Sequence, residues 1–289
     1  MTRFLLLLAC LACASTVNAP AVDAQSRPRP GQEVVLVTGS TSGLGREVAR
    51  RLGATGAFVI VHGRNRERGI EVVEAIESGG IGNARFYAAD FSSFAQIREF
   101  GERILRDYDR LDVLVNNAAG NFFAPVAEMS ENAWRAVVDI VLDGTFRVSK
   151  ACHPLLRKGN NSSVVNIVAN YAWGSASYVA HSGAAKAGVL NLTRSLALEW
   201  ASHGIRVNAL CPGVVPTEGA KANLFPAPEM EQMIVDTIPR GRLATADEMA
   251  LQVLWLAASD YTTGECLVSD GGQWLAGNPF YTFGRQFVD

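Results

Sequence analysis

The chain has 289 residues, of which 48% are hydrophobic and 19% charged, and 26 Lys and Arg against 28 Asp and Glu give a formal net charge of −2. This composition excludes an intrinsically disordered chain, and the balanced charge gives no reason to expect nucleic acid or an anionic membrane surface as a partner. Beyond residue 24, the cysteines (Cys152, Cys211 and Cys266) are widely spaced and the histidines form no ligand pattern. Neither a disulfide framework nor a metal site is therefore predicted.

Residues 1–24 have the pattern of a secretory signal peptide. Arg3 supplies a positive charge, residues 4–14 contain no charged side chain, and Ala24 ends a small-x-small cleavage pattern. This apolar run is shorter than the about 20 residues that a membrane-spanning helix needs, so no integral membrane segment is expected in the mature chain. We expect the secretory route or an organelle reached through it, or the cytoplasm if the leader is not used. Residues 25–31 are predicted to form an extended linker.

From residue 32 to residue 275, short aliphatic runs alternate with helical patterns. Such aliphatic runs are typical of parallel strands that are buried on both faces. The sequence therefore predicts an α/β fold, a single doubly wound Rossmann-type domain with a seven-stranded, mostly parallel sheet. Strands are predicted at 34–37, 58–62, 85–88, 111–115, 164–168, 206–210 and 266–268, and helices in the intervals, including 92–108, 131–151, 182–202 and 246–258. The aromatic tail, residues 276–289, is expected to pack across a subunit interface.

The first strand runs directly into a glycine-rich turn, and helical spacing follows it. Glycines let the backbone turn sharply and approach a pyrophosphate, and the N–H groups at the start of a helix point at that anion. A glycine-rich turn between a strand and a helix indicates dinucleotide binding. The turn, whose residues from Gly39 onward are candidate cofactor ligands, reads Thr38-Gly39-Ser40-Thr41-Ser42-Gly43-Leu44-Gly45.

The TGxxxGxG spacing of this turn resembles the short-chain dehydrogenase/reductase family, and further landmarks agree along residues 32–275. Asp90, followed by Phe91, stands where that family binds adenine. The resemblance implies a nicotinamide cofactor and, because related enzymes are commonly tetramers, a homo-oligomer. The other matching segments, which in that family bind the cofactor or close the fold, are Asn116-Asn117-Ala118-Ala119-Gly120, Pro212-Gly213 with Thr217, and Asp270-Gly271-Gly272.

The end of the second strand favours NADP(H) over NAD(H). NAD-dependent enzymes usually place a carboxylate there for the ribose 2′-hydroxyl, whereas this chain reads His62-Gly63-Arg64 with no carboxylate before Glu67. The Arg64 guanidinium is suited to a charge-assisted hydrogen bond with a 2′-phosphate. The alternative is a solvated arginine on a surface loop.

The catalytic region departs from the family's usual pattern of a serine followed by Tyr-x-x-x-Lys. Lys186 fills the lysine position, but Ser182 stands where the tyrosine is expected and Ala169 where the serine is expected. Tyr171 lies fifteen residues before Lys186 and completes a pattern that resembles the 2,4-dienoyl-CoA reductases. The stretch 181–189 resembles the peroxisomal trans-2-enoyl-CoA reductases even more. Both groups reduce carbon–carbon double bonds of acyl-CoA.

This resemblance implies NADPH-dependent reduction of an enoyl- or dienoyl-CoA thioester. Hydride addition places negative charge on the thioester oxygen, and such charge needs preorganised hydrogen-bond donors. Tyr171 is the first expected donor and Ser182 the second, while Lys186 is expected to hold the nicotinamide ribose. Asp143 stands where mitochondrial-type dienoyl reductases have Asn and is a further catalytic candidate. An ionised aspartate only accepts hydrogen bonds, so it would oppose the charge unless it is protonated or points elsewhere.

Other interpretations stay open at the sequence level. Tyr178 is a rival for the catalytic tyrosine. His181 is expected behind the site or on the surface, and a role as general acid is the alternative. Residues 220–233 are apolar and contain prolines, and they are expected to form a lid over the substrate. The alternative functions are a carbonyl or alcohol oxidoreductase with a displaced tyrosine, and a non-catalytic NADP-binding scaffold.

Overall fold

The computed structural model describes residues 26–174, 176–224 and 228–276. The predicted signal peptide, all but one residue of the aromatic tail and residues 225–227 of the predicted lid lie outside these ranges. The strands are β1 (Val34–Val37), β2 (Phe58–Gly63), β3 (Asn83–Ala88), β4 (Val113–Asn116), β5 (Ser162–Ile167), β6 (Ile205–Pro212) and β7 (Cys266–Ser269).

Helices fill the intervals between the strands. No helix within the described ranges combines the length and the apolar character needed to cross a bilayer. The α-helices are α1 (Gly43–Ala54), α2 (Arg66–Glu77), α3 (Phe94–Asp107), α4 (Glu131–Val138), α5 (Gly144–Leu156), α6 (Tyr171–Gly174), α7 (Ala180–Trp200), α8 (Glu218–Leu224), α9 (Pro228–Val235) and α10 (Ala246–Ala258).

The strands form one sheet in the order β3-β2-β1-β4-β5-β6-β7. All neighbouring strands are parallel; Leu36 of β1, for example, pairs with Ile60 of β2 on one side and with Leu114 of β4 on the other. Strand order reverses between β1 and β4, so the loops that follow these two strands run in opposite directions. Ligands bind at such a switch point in doubly wound sheets. The predicted fold is confirmed, and its sheet is parallel throughout.

Alternate side chains of each strand enter two cores, one on each face of the sheet. Leu36 and Ile60 belong to the core formed with α3, α5 and α7. Val37 and Val61 belong to the core formed with α1, α2 and α10. Because both faces are covered, the strands are aliphatic rather than alternating in polarity, and the polar site is confined to the edge where the strands end.

Two predicted segments differ from the structure. The single helix predicted at 131–151 is divided by a π-helical turn, Asp139–Asp143, and continues to Leu156. The predicted lid contains two short helices, α8 and α9, on either side of the undescribed residues 225–227. The π turn has no local sequence signal, because it needs the same helix-forming residues as the α-helix around it.

Gly69 in α2 provides a test of how closely the helices pack on the sheet. A Cβ atom at this position would lie 2.3 Å from Cδ2 of the buried Phe86. Alanine is normally better than glycine in a helix by about 1 kcal/mol, but here the ring or the helix must shift. We expect Gly69→Ala to lower the free energy of unfolding in urea by about 1–3 kcal/mol.

Gly219 in α8 is the matched control, because no described atom lies within 4 Å of a Cβ built there. Gly219→Ala should be neutral or slightly stabilising. Equal effects of the two substitutions would contradict the packing argument.

Candidate active site

A cavity of about 410 Å³ lies at the switch point, at the carboxyl ends of the strands. The loops after β1, β2, β3 and β4, helices α6 and α7, and the segment after β6 line it. Among the predicted site residues, Ser40, Asp143, Pro212 and Gly213 do not line the cavity. Those that do are Gly39, Thr41, Ser42, Gly43, Leu44, Gly45, Arg64, Asp90, Phe91, Asn117, Ala118, Ala119, Gly120, Tyr171, Ser182, Lys186 and Thr217.

The glycine-rich turn is shaped by close approach to the loop after β4. A Cβ at Gly45 would lie 2.4 Å from Nδ2 of Asn117, and one at Gly39, whose φ is +63°, would lie 2.8 Å from Cα of Ala118. The N-cap residue of α1, Ser42, makes no side-chain cap, and the first turn of this helix has no acidic residue. The first N–H groups of α1 are therefore suited to bind a phosphate, and the turn fits a dinucleotide.

His62 at the end of β2 supports the turn from below, a role that the sequence did not reveal. Its Nδ1 accepts from the backbone N–H of Gly39 at 3.1 Å, and its Nε2 lies 3.2 Å from the carbonyl of Ala89. The ring stacks on Phe91, with centroids 4.0 Å apart. Burial lowers the pKa of His62 to about 3, so the imidazole is neutral and donates through Nε2.

Ser40, a predicted cofactor ligand, faces the interior of the turn instead of the cavity. It is fully buried, and its Oγ donates to the carbonyl of Val37 at 2.7 Å and accepts from the N–H of His62 at 3.0 Å. Its side chain therefore joins the ends of β1 and β2.

Arg64 lies at the mouth of the cavity with its side chain 73% exposed. Its Nη1 is 3.9 Å from Oδ2 of Asp90, which is a long contact for an ion pair. The Asp90 carboxylate also accepts from the N–H and hydroxyl groups of Ser92, both at 2.9 Å. Arg64 is therefore accessible to an anionic ligand, while Asp90 is fixed by its own loop.

Tyr171, Ser182 and Asn121 form one hydrogen-bonded group in the cavity. Tyr171 begins α6, and its Oη lies 3.2 Å from Oγ of Ser182 in α7. Nδ2 of Asn121 donates to the same Oη at 3.4 Å. Burial raises the pKa of Tyr171, so the phenol keeps its proton. No role for Asn121 follows from the sequence alone, because its contact depends on how the loop after β4 folds back toward α6.

Lys186 lies one helical turn after Ser182 on the same face of α7. The ammonium donates to the carbonyl of Ile167 at 2.5 Å. Burial lowers the pKa of Lys186 to about 8, so most molecules carry the charge at neutral pH. The side chain thus places a positive charge at the floor of the cavity.

Asp143 and Tyr178 lie away from this group. Asp143 accepts from Nη2 of Arg147 at 2.7 Å, one helical turn further along. Tyr178 is 58% exposed and has a φ of +65°, and its carbonyl accepts from the N–H of Ala124 at 2.8 Å.

Pro212 and Gly213 lie at the end of β6, where Gly213 donates its N–H to the carbonyl of Ser269 at 2.7 Å. Thr217 follows in the cavity wall, and a Cβ at Gly43 would lie 3.1 Å from its methyl group. The segment after β6 therefore closes on the glycine-rich turn. In the described part of the chain, no three His, Cys, Asp or Glu side chains are grouped to share a metal ion.

Known proteins resemble the chain over most of its length. A family model described as enoyl-(acyl carrier protein) reductase matches residues 39–273. The chain is 39% identical over 254 residues, 86% of this chain and 99% of the relative, to a Bacillus subtilis protein named "probable 2,4-dienoyl-CoA reductase [(2E)-enoyl-CoA-producing]". It is 35% identical to the Danio rerio peroxisomal 2,4-dienoyl-CoA reductase [(3E)-enoyl-CoA-producing], covering 84% and 82% of the two chains. RhlG of Pseudomonas aeruginosa, solved in complex with NADP, superimposes with a TM-score of 0.78 and 27% identity, over 89% and 99% of the two chains.

Acid should destabilise the protein through His62. Its pKa is about 3 in the folded chain against an ordinary value of 6.5, so the unfolded chain binds the proton first. The stability that the neutral ring contributes is complete above pH 6.5 and falls as the pH drops toward 3, by at most about 1.4 kcal/mol per pH unit. Between pH 7 and pH 5, we expect the free energy of unfolding in urea to fall by about 2 kcal/mol more in the wild type than in His62→Gln. Equal pH dependence in the two proteins would contradict this assignment.

Proposed function

The chain belongs to the short-chain dehydrogenase/reductase family, and we propose that it reduces a carbon–carbon double bond of an enoyl- or 2,4-dienoyl-CoA thioester with NADPH. The observation that carries the proposal is the hydrogen-bonded group of Tyr171, Asn121 and Ser182 beside Lys186. It supplies donors for an oxygen anion at a site that lacks the family's usual serine and tyrosine. The names of the relatives agree with this substrate class.

NADPH, when bound, supplies the hydride. The N-terminus of α1 and the backbone of residues 39–45 would hold its phosphates, because the turn leaves N–H groups without side-chain caps. Arg64 would bind the 2′-phosphate, since its guanidinium is exposed at the cavity mouth. Lys186 would hold the nicotinamide ribose and keep a positive field beside the reacting atoms.

The enolate oxygen is stabilised by hydrogen-bond donors on two elements. Hydride addition to the alkene carbon remote from the carbonyl moves an electron pair onto the thioester oxygen. Tyr171 donates its O–H to that oxygen, because its raised pKa keeps the phenol protonated. The Asn121 amide donates from the loop after β4, and Ser182 orients the tyrosine. Such preorganised donors are worth about 10²–10³ in rate each.

The Asp143 carboxylate does not oppose the negative charge that develops on the thioester oxygen, because it is directed at Arg147 and does not line the cavity. Asp143 is therefore not part of the proposed catalytic group and forms a local ion pair with Arg147. A second candidate function, reduction of a ketone, is favoured by the Tyr171–Ser182 contact, because a tyrosine in such a pair can protonate a carbonyl oxygen.

The assembly is a further part of the proposal. Helix α10 exposes Leu251 and Trp255, and α5 exposes Phe146. Leu251 and Trp255 lie one helical turn apart on one side of the sheet, and Phe146 lies on the opposite side. Exposed apolar side chains mark protein–protein contacts, so we propose that each of these two helices meets a second copy, in a homo-oligomer. The compartment stays a prediction that depends on residues 1–24.

The substrate class is tested by following NADPH absorbance with residues 25–289 and three thioesters: 2,4-hexadienoyl-CoA, a trans-2-enoyl-CoA and a 3-ketoacyl-CoA. We expect oxidation of NADPH with an unsaturated thioester and none with the ketone. Tyr171→Phe should lower kcat/KM by about 10²–10³, since it removes one oxyanion donor. The matched control, Tyr178→Phe, should stay within twofold of the wild type. Oxidation of NADPH with the 3-ketoacyl-CoA alone would favour ketone reduction. No oxidation of NADPH with any of the three thioesters would favour a non-catalytic NADP-binding scaffold.

Arg64 is expected to set the cofactor preference. Arg64→Leu should raise KM for NADPH about 10–100-fold, the loss that a hydrogen bond to a charged group implies, with KM for NADH unchanged. Arg98→Leu, on the exposed face of α3, is the control and should change neither value. An equal loss for both cofactors in Arg64→Leu would contradict a contact with the 2′-phosphate.

A further inference from the structure

Helix α8 forms one wall of the cofactor cavity, although it lies on the surface of the protein. Gly219, Ala220 and Asn223 line the cavity from this helix. Among residues 218–223, every residue except Ala220 is exposed. The burial of apolar side chains that holds the strands and long helices together is therefore small in the described part of α8. Other contacts must keep this helix over the cavity.

Within the described ranges, two ion pairs join α8 to other helices. Nη2 of Arg68, in the first turn of α2, lies 3.4 Å from Oε2 of Glu218. Nζ of Lys221 lies 3.5 Å from Oε2 of Glu231 in α9. Because α9 belongs to the same segment after β6 as α8 does, the second pair joins this segment to itself. The Arg68–Glu218 pair joins it to the opposite side of the cavity.

The Arg68–Glu218 pair bridges the two rims of the cavity. Arg68 follows Arg64 by four residues, and Arg64 and Gly63 line the cavity on the side of β2. Glu218 directly precedes the residues of α8 that line the other side. The backbone that carries the guanidinium is fixed, because Oδ1 of Asn65 accepts from the N–H of Arg68 at 2.9 Å. The ion pair therefore spans the mouth of the cavity, where Arg64 lies.

We propose that the Arg68–Glu218 ion pair is a latch that holds α8 over the bound cofactor, and that the cofactor is released when the pair opens. The two side chains are 51% and 72% exposed, so the pair is weak and opens readily. A weak pair is sufficient here, because a segment with little apolar burial opens at low cost. The inference needs a bound NADPH but not the proposed acyl thioester, so it does not depend on the substrate class.

The effect of Glu218 distinguishes a latch from a general effect of charge. The cofactor is anionic, so a carboxylate at the cavity mouth should weaken its binding through the electrostatic field, and a guanidinium should strengthen it. On that basis, removal of the Glu218 charge would slow the release of NADPH and removal of the Arg68 charge would speed it. A latch predicts faster release in both cases, because either change breaks the same pair.

The test measures the rate constant for NADPH release by stopped-flow fluorescence, using the full chain without an acyl substrate. The variants are Arg68→Gln, Glu218→Gln and the double substitution. We expect each single variant to release NADPH about two- to fivefold faster than the wild type, as the loss of an exposed ion pair implies. The double variant should be no faster than the faster single variant, because both single variants lose the same interaction.

A second measurement needs no cofactor. Trypsin cleavage after Lys221, followed by mass spectrometry, reports how often α8 opens, because proteolysis proceeds from the opened state. We expect both single variants to be cleaved there faster than the wild type. Their Tm should stay equal to that of the wild type, because an exposed ion pair contributes little to global stability.

Glu102→Gln is the matched control, because Glu102 forms an exposed ion pair with Arg98 within α3 and neither residue lines the cavity. Its NADPH release and its cleavage after Lys221 should equal those of the wild type. Slower or unchanged release in Glu218→Gln would overturn the inference. Additive effects in the double variant would also overturn it, as would a fall in Tm that accompanies the faster release.

The same measurements separate this inference from the proposed function. If the wild type binds no NADPH, the assignment of the cofactor fails and the latch fails with it. If NADPH release follows the expected pattern but no unsaturated thioester is reduced, only the proposed substrate class fails. If the thioester is reduced and the release rates of the variants equal that of the wild type, only the latch fails.

Discussion

The site depends on one close contact, between the turn after β1 and the loop after β4. Oγ1 of Thr38 accepts from the backbone N–H groups of Asn117 and Ala118, both at 3.0 Å. The Asn117 amide returns two hydrogen bonds, to the carbonyls of Thr38 and Gly39 at 2.9 and 3.0 Å. Loops at a switch point otherwise diverge. This reciprocal bonding holds them together at their base, so that the cavity opens above it, and it explains why residues 39 and 45 have no room for a Cβ.

The same burial that stabilises the sheet controls the protonation of the site. Tyr171 keeps its proton because an ionised phenol would be poorly solvated there, and His62 stays neutral for the same reason. Burial acts against the charge on Lys186 and lowers its pKa to about 8. The carbonyl of Ile167 stabilises the ammonium in return. A positive charge and a neutral donor can therefore coexist in one cavity.

The sequence was sufficient for the doubly wound fold class and for the position of the glycine-rich turn, because both follow from local patterns. Four aliphatic residues ending in Thr38-Gly39 specify a buried strand and a tight turn together. The role of Asn121 could not be assigned from the sequence, since it depends on a contact between residues far apart in the chain. Asn121 meets Tyr171 across fifty positions. His181 was expected behind the site or on the surface; it is fully buried directly before Ser182 and does not line the cavity, which places it behind the site.

The π-helical turn at Asp139–Asp143 brings an acidic segment to the border of the cavity without placing its carboxylates in the cavity wall. The wide turn places Ile140 in the cavity wall, while the carboxylates at its two ends do not line the cavity. Oδ1 of Asp139 lies 3.9 Å from Nη1 of Arg135, and Oδ2 of Asp143 lies 2.7 Å from Nη2 of Arg147. Each acid is thus paired with an arginine one turn away along its own helix. An uninterrupted α-helix would rotate these five residues differently relative to α7. The π turn therefore places an apolar side chain in the cavity wall and leaves both carboxylates outside it.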